Sequence, residues 1–245
     1  MASPPFILAF DLGAPKLAAA VYDFHGERLC TLQRLPAMAN QPQVLTLMNI
    51  KRIGAQAIKW ASCAPPPRVI VAASPASFDA SSGRLSESSR LPRLGGFDLA
   101  SFCSHELGAP LELVGDAGCL ALGEAREGAV RGLKKRAIGV RLLGKRVVWG
   151  AAENGRVVEG TAGEKEIGPA PEADDRESWR RLGARVAETI EGCEGEHCVV
   201  SGVAPDQWDA FHAALGRPAV AAELGPEGAV LGAAVHACKH LRGGS

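Results

Sequence analysis

The chain has 245 residues, with 27 Lys and Arg balanced by 27 Asp and Glu, so its formal net charge is zero. Zero charge gives no general electrostatic reason to hold nucleic acid or an anionic membrane, and no partner of either kind is expected. A hydrophobic content of 47% is enough for a core, which excludes wholesale disorder, and 29 Gly and 16 Pro without a period exclude a collagen-like repeat.

The segment Phe6–Phe10 is a short apolar run closed by Asp11. It is too short for a signal-peptide core, and Met1-Ala-Ser-Pro-Pro ahead of it has no basic region, so no leader is expected. Leu17–Tyr22 and Glu27–Leu35 read as two more strands, joined at Asp23–Gly26, which makes an antiparallel meander. Val44–Trp60 carries apolar residues at helical spacing, and Pro65-Pro-Pro67 stops it. Arg68–Ala73 reads as a strand, and 74–97 as loop with one short hairpin. Asp98 is the expected N-cap of a helix to Leu107. Leu111–Val114 is a strand that turns at Gly115-Asp-Ala117 into a helix ending near Gly128.

Ile138–Leu143, Val147–Ala152 and Arg156–Val158 read as strands, the last two joined by the hairpin signal Asn154-Gly155. A helix over Asp175–Ile190, a strand over Cys198–Ser201, a helix over Pro205–Leu215, a short strand over Ala219–Ala222 and a helix from Pro226 to Cys238 complete the chain. Strand clusters alternating with crossover helices predict an α/β fold with mixed sheets. The meander that opens each half predicts two lobes, over 1–115 and 116–245. Seven scattered cysteines suggest no disulfide framework and favour a reducing, cytoplasmic setting.

Six segments carry a resemblance, the last two being Glu166-Ile-Gly168 and Val199-Val-Ser-Gly-Val-Ala204. Ile7-Leu-Ala-Phe-Asp-Leu-Gly-Ala-Pro-Lys16 has the strand, Asp-x-Gly turn and strand of a phosphate loop. Pro75-Ala-Ser-Phe-Asp79, Leu113-Val-Gly-Asp-Ala117 running to Gly123-Glu124, and the hairpin from Leu143-Gly-Lys-Arg to Asn154-Gly155 follow in order. Together they resemble the ROK family (repressors, open reading frames and sugar kinases) of the actin-like ATPase superfamily. The resemblance implies a two-lobed, ribonuclease H-like α/β fold, with the second lobe shortened.

It also implies a chemistry. Asp116 would be the general base on a sugar hydroxyl, and Asp11 would hold Mg²⁺ beside ATP. Gly13, Lys16, Gly144, Lys145 and Gly202 fall at the nucleotide loops. Glu166, from a Glu-x-Gly motif, and Arg90, at the place of a sugar-contacting Asn, would face substrate. ATP and Mg²⁺ are the implied cofactors if the chain is active. A small-molecule sugar, or none, is the implied ligand, and a homodimer is left open.

Departures from the family pattern are numerous. Ala14 and Pro15 replace a Gly and a Thr of the first loop, and proline has no N–H for a phosphate. Lys145, Arg146 and Val148 replace Thr and Gly in the second, where their side chains are expected to fill phosphate space, or Lys145 and Arg146 instead to attract an anion. Gly115 and Pro169 replace an Asn and a His on the sugar side. The family's Cys-x-Cys zinc loop is missing, and Cys193–Cys198 lacks a second ligand pair, so no structural zinc is expected. Hexose phosphorylation is therefore expected to be weak or lost. The alternative is a non-catalytic binding or interaction protein on the same scaffold.

Overall fold

The computed structural model describes residues 4–64, 66–75, 77–87, 90–169, 171–172 and 175–243. Met1–Ser3, Pro65, Ala76 and Ser88–Ser89, which carry parts of the sequence readings, lie outside the described residues.

The first sheet has the order β3-β2-β1-β4-β7: β1 (Ile7–Asp11), β2 (Lys16–Tyr22), β3 (Gln33–Pro36), β4 (Val69–Ser74) and β7 (Leu111–Gly115). β2 and β3 are antiparallel to their neighbours, while β1, β4 and β7 are parallel. A sheet covered on both faces needs apolar side chains in both directions, and β1 supplies them. Leu8 and Phe10 point into one core with α1 (Gln43–Trp60) and α2 (Leu99–Leu107); Ile7 and Ala9 point into another with α6 (Pro226–Gly243). The third strand is shorter than expected. Of its first half only Arg28 bridges to Tyr22, and regular pairing begins at Gln33. The loop after β4 holds the expected small hairpin, β5 (Phe78–Asp79) and β6 (Arg84–Leu85).

The second sheet has the order β10-β9-β8-β11-β12: β8 (Ala137–Leu143), β9 (Arg146–Glu153), β10 (Arg156–Glu166), β11 (His197–Ser201) and β12 (Ala219–Ala221). Asn154 and Gly155 both take positive φ, as a two-residue hairpin turn requires. β10 runs much further than the expected Arg156–Val158, because the ladder resumes at Gly163 after a bulge. Thr161 stabilises that bulge: its hydroxyl accepts from Ala151 N–H and donates to Val158 C=O. One face of this sheet is covered by α4 (Arg176–Thr189) and α5 (Trp208–Leu215).

The other face receives α3 (Asp116–Glu127), which also crosses α6. Here backbones meet. A Cβ on Gly139 of β8 would stand 1.7 Å from Ala117 O, and one on Gly232 of α6 would stand 1.8 Å from Cys119 O. Every strand of the first sheet precedes residue 116 and every strand of the second follows it, yet α6 returns from the end of the chain to cover the first sheet. Among the described residues no helix is long and apolar enough to cross a membrane.

Candidate active site

Parallel strands deliver their C-terminal ends to one edge of a sheet, which is where open α/β proteins bind ligands. Asp11 ends β1, Ser74 ends β4 opposite Gly115 of β7, and Asp116 follows as the first residue of α3. Across the gap, Arg141 lies near the end of β8, opposite Ser201 of β11. A cleft of about 370 Å³ opens between these edges. It is lined by Asp11, Gly13, Lys16, Arg90, Asp116 and Gly144 of the expected site, together with Arg34 and Arg141. A larger hollow of about 630 Å³ beside Glu27, Arg126 and Arg131 is remote from both aspartates.

The centre of the cleft is an ion-paired triad. Arg141 Nη1 donates to Asp116 Oδ2 at 2.7 Å and stands 3.5 Å from Asp11 Oδ1. All three side chains are withdrawn from solvent, at 13% exposure for Arg141, 4% for Asp11 and 1% for Asp116. A buried cation is tolerable only when paired, and here two carboxylates share it. Their field holds the guanidinium above its ordinary range despite the burial. Burial pushes the Asp116 carboxyl up to about 6, with Arg141 offsetting only part of the effect. Asp116 Oδ1 is buried and has no hydrogen-bond partner among the described residues.

Asp116 also touches a second, smaller cavity of about 70 Å³, walled by Phe78, Val148, Trp149, Ala162 and Glu164. It is much smaller than the main cleft. Trp149 keeps it narrow, because its indole lies across the backbone of Gly163, so close that a Cβ there would be 2.2 Å from the ring.

The other expected site residues are placed as follows. Lys145 forms the exposed turn between β8 and β9. Gly202 follows β11 at positive φ against Leu142 O. Glu166 is exposed at the end of β10 and lines neither cavity; Glu164, two residues earlier, lines the smaller one. Arg90 donates to Leu143 O on the phosphate-loop side of the cleft. Arg146 does not fill phosphate space as expected, because Glu164 draws it across the sheet at 2.8 Å. Arg141, by contrast, does line the cleft. Sequence reasoning passed over this residue, although one signal was available: an arginine within the otherwise apolar strand Ala137–Leu143 demands a buried partner.

The fold family implies Mg²⁺ and a nucleotide here, and the residues present do not fit either. A guanidinium already stands between the two carboxylates that would face the metal. Pro15 presents no N–H to a phosphate, and a Cβ on Gly13 would lie 2.6 Å from Lys16 O, so the loop is folded tightly on itself. Elsewhere, the one group of metal-ligating side chains among the described residues is Glu112, His236 and His240. His236 Nδ1 accepts from Val157 N–H, which leaves the proton on Nε2, 3.1 Å from Glu112 Oε1. The nitrogen facing Glu112 is thus a donor in a hydrogen bond from α6 to β7 rather than a ligand with a lone pair.

Two mixed sheets whose strand ends face each other across a carboxylate-bearing cleft define the two-lobed actin-like ATPase fold. In particular, it is the fold of the ROK sugar kinases and regulators. The chain is similar to a ROK hexokinase from Thermus thermophilus, with a TM-score of 0.73 at 20% identity over 98% of this chain and 100% of that one. It is similar to a ROK family glucokinase from Streptomyces griseus, solved with glucose and AMPPNP, at 0.71 and 16% over 94% and 98%. It is also similar to a ROK family transcriptional regulator, a homologue of the E. coli MLC protein, at 0.70 and 14% over 96% and 78%. No protein-family model and no curated protein matches the chain.

Proposed function

We propose that this chain is a sugar-kinase homologue that keeps the ROK scaffold as a binding module and phosphorylates hexoses weakly or not at all. One observation carries the reading: Arg141 is paired with both Asp116 and Asp11. A base must be within reach of a hydroxyl proton, and a metal ligand must be free to meet its metal. Here the same cation engages both groups. The tight cavity beside Asp116 supports the reading, because a misplaced sugar loses rate steeply, by about a hundredfold per ångström. A transcriptional regulator among the similar solved structures supports it as well, since regulation is a role other than phosphorylation.

One feature favours residual catalysis. Asp116 has a carboxyl near pH 6 and an unengaged Oδ1, both suited to a general base. The deciding measurement is phosphorylation of glucose, N-acetylglucosamine, mannose and fructose with millimolar ATP and Mg²⁺. Turnover is expected well below ~1 per second, the lower end for kinases. A faster rate that Asp116→Asn abolishes would reject the reading.

A further inference from the structure

Acidic residues are missing from one long stretch of the chain. From Arg28 to Phe78 there is no Asp or Glu, but there are six Lys and Arg. In a chain with equal numbers of both signs, this segregates positive charge onto one region, and α1 is the longest element in it. Apolar exposure collects at the same place. Five large apolar side chains are exposed among the described residues: Leu29, Met38, Val44, Met48 and Trp60. Val44, Met48 and Trp60 are on α1, at 56%, 59% and 67% exposure. Met38 precedes the helix, where its carbonyl accepts from the Thr46 hydroxyl.

The outward face of α1 is built as a seam. Ile50, Ile53, Ala57 and Ile58 are buried in the core between the first sheet and α2, so the broad apolar face of the helix is already taken. On the other side, at about 100° per residue, exposed Val44, Met48 and Ala55 lie within roughly 40° of one another. Lys51 flanks them on one side, and Arg52 and Lys59 on the other. Val44, Met48, Lys51 and Ala55 follow the alternating four- and three-residue steps by which one helix meets another. Lys51 is held sideways by Glu106 of α2 at 2.5 Å, whereas Arg52 and Lys59 have no ion pair among the described residues. No residue of α1 lines the cleft.

We propose that this ridge docks an acidic amphipathic helix of a partner protein. The aliphatic seam of the partner packs on Val44, Met48 and Ala55, and carboxylates beside that seam pair with Arg52 and Lys59. The small side chain of Ala55 lets the two helix axes approach closely. Charge and shape select this occupant over two others. A second copy of the chain is opposed, because two α1 ridges meeting antiparallel would bring Lys51 and Arg52 of both copies together at the centre. A lipid surface is opposed because an interfacial helix sinks a broad apolar face, and the broad face of α1 is in the core. An acidic helix satisfies both the narrow seam and the unpaired cations. The ridge is separate from the cleft, so its role does not depend on whether hexoses are phosphorylated.

Fluorescence anisotropy on the full chain tests it. The probe is a labelled peptide of about three heptads with Leu at a and d and Glu at e and g. The same peptide with Lys in place of Glu, and vesicles of phosphatidylcholine and phosphatidylserine, are the comparison probes. The acidic peptide is expected to bind at micromolar concentration, more weakly as salt is added. Met48→Glu and Arg52→Glu are each expected to weaken it about tenfold. Arg52→Glu combined with Lys59→Glu is expected to turn the preference toward the Lys peptide, a result that misfolding would not produce. Lys134→Glu makes the same charge change in an exposed loop ahead of β8 and is expected to alter nothing. All of these positions are exposed, and equal melting temperatures would confirm equal folding. The proposal is overturned if the acidic peptide does not bind at about 100 μM, if the Lys peptide binds the parent equally well, or if the ridge variants behave like Lys134→Glu. Vesicle binding that Met48→Glu abolishes would put a membrane on the ridge instead. Dimerisation in sedimentation that Met48→Glu abolishes would put a second copy there, and either result rejects the acidic helix.

Discussion

At the scale of residues, the Arg141 pair of ion contacts sets the character of the site. Removing the guanidinium would leave Asp11 and Asp116 buried and facing each other without a cation. Arg141→Gln is therefore expected to cost about 3–5 kcal/mol of stability, read from urea unfolding. The same variant reopens a place for a metal, so Mg²⁺ should raise its melting temperature and leave that of the parent unchanged. An equal response of both proteins to Mg²⁺ would count against the assigned role. Asp116 gives a second expectation. Its carboxyl rises from 3.8 to about 6 on folding, so the folded chain binds this proton more tightly than the unfolded chain. The resulting stabilisation is complete below about pH 3.8 and is lost as pH rises through about 6. It amounts to ~3 kcal/mol at most. The parent should accordingly lose stability relative to Asp116→Asn between pH 4 and pH 7. A difference that stays constant over that interval would rule out the raised carboxyl.

At the scale of elements, α3 is positioned by small residues on both partners. Gly139 admits the backbone of Ala117, and Gly123 and Gly232 let α3 and α6 meet backbone to backbone. This contact fixes where Asp116, the first residue of α3, stands relative to Arg141 on β8. Gly139→Ala puts a methyl where a carbonyl oxygen lies and should cost about 3 kcal/mol or more, with the strand or the helix displaced. Thermal unfolding of Gly139→Ala beside Gly144→Ala checks this. Gly144 faces open space, so its penalty comes only from its φ of +67° and should be the smaller. Element ends were readable directly. Asp98 accepts from Ser101 N–H as the N-cap of α2, and Asp175 does the same for α4 from Ser178 N–H. Asp98→Ala should cost about 1 kcal/mol.

At the scale of the whole molecule, α6 makes the two sheets one unit. Ala229, Val230, Ala233, Ala234 and Ala237 are fully buried against the first sheet, and the opposite side of the helix meets α3 on the second. His236 on α6 accepts from Val157 of β10 and donates to Glu112 of β7, tying both sheets through one ring. Unfolding should therefore be a single transition. Three of the four tryptophans, Trp149, Trp179 and Trp208, lie in the second half and report on it by fluorescence, while far-ultraviolet circular dichroism reports on both. The two signals should give the same urea midpoint. Separate midpoints would show lobes that fold independently.

Local chemistry was legible in the sequence wherever the deciding contacts lie within a few residues. The apolar run closed by Asp11, the Asn154-Gly155 hairpin, the Asp98 cap and the strand that turns at Asp116 all depend on neighbours along the chain, and the structure holds each of them. The altered loops were likewise visible, because the lack of an N–H at Pro15 is a property of that residue alone. What stands between the two aspartates was decided only by the tertiary structure. Arg141 is 130 residues from Asp11 and 25 from Asp116. No local pattern states that β8 must end opposite β1; that follows from how α3 and α6 seat on glycines in both sheets. The same holds for Arg146, whose side chain is taken by Glu164 across a strand pairing that a bulge sets, and for Glu166, which the same bulge leaves at the exposed end of β10.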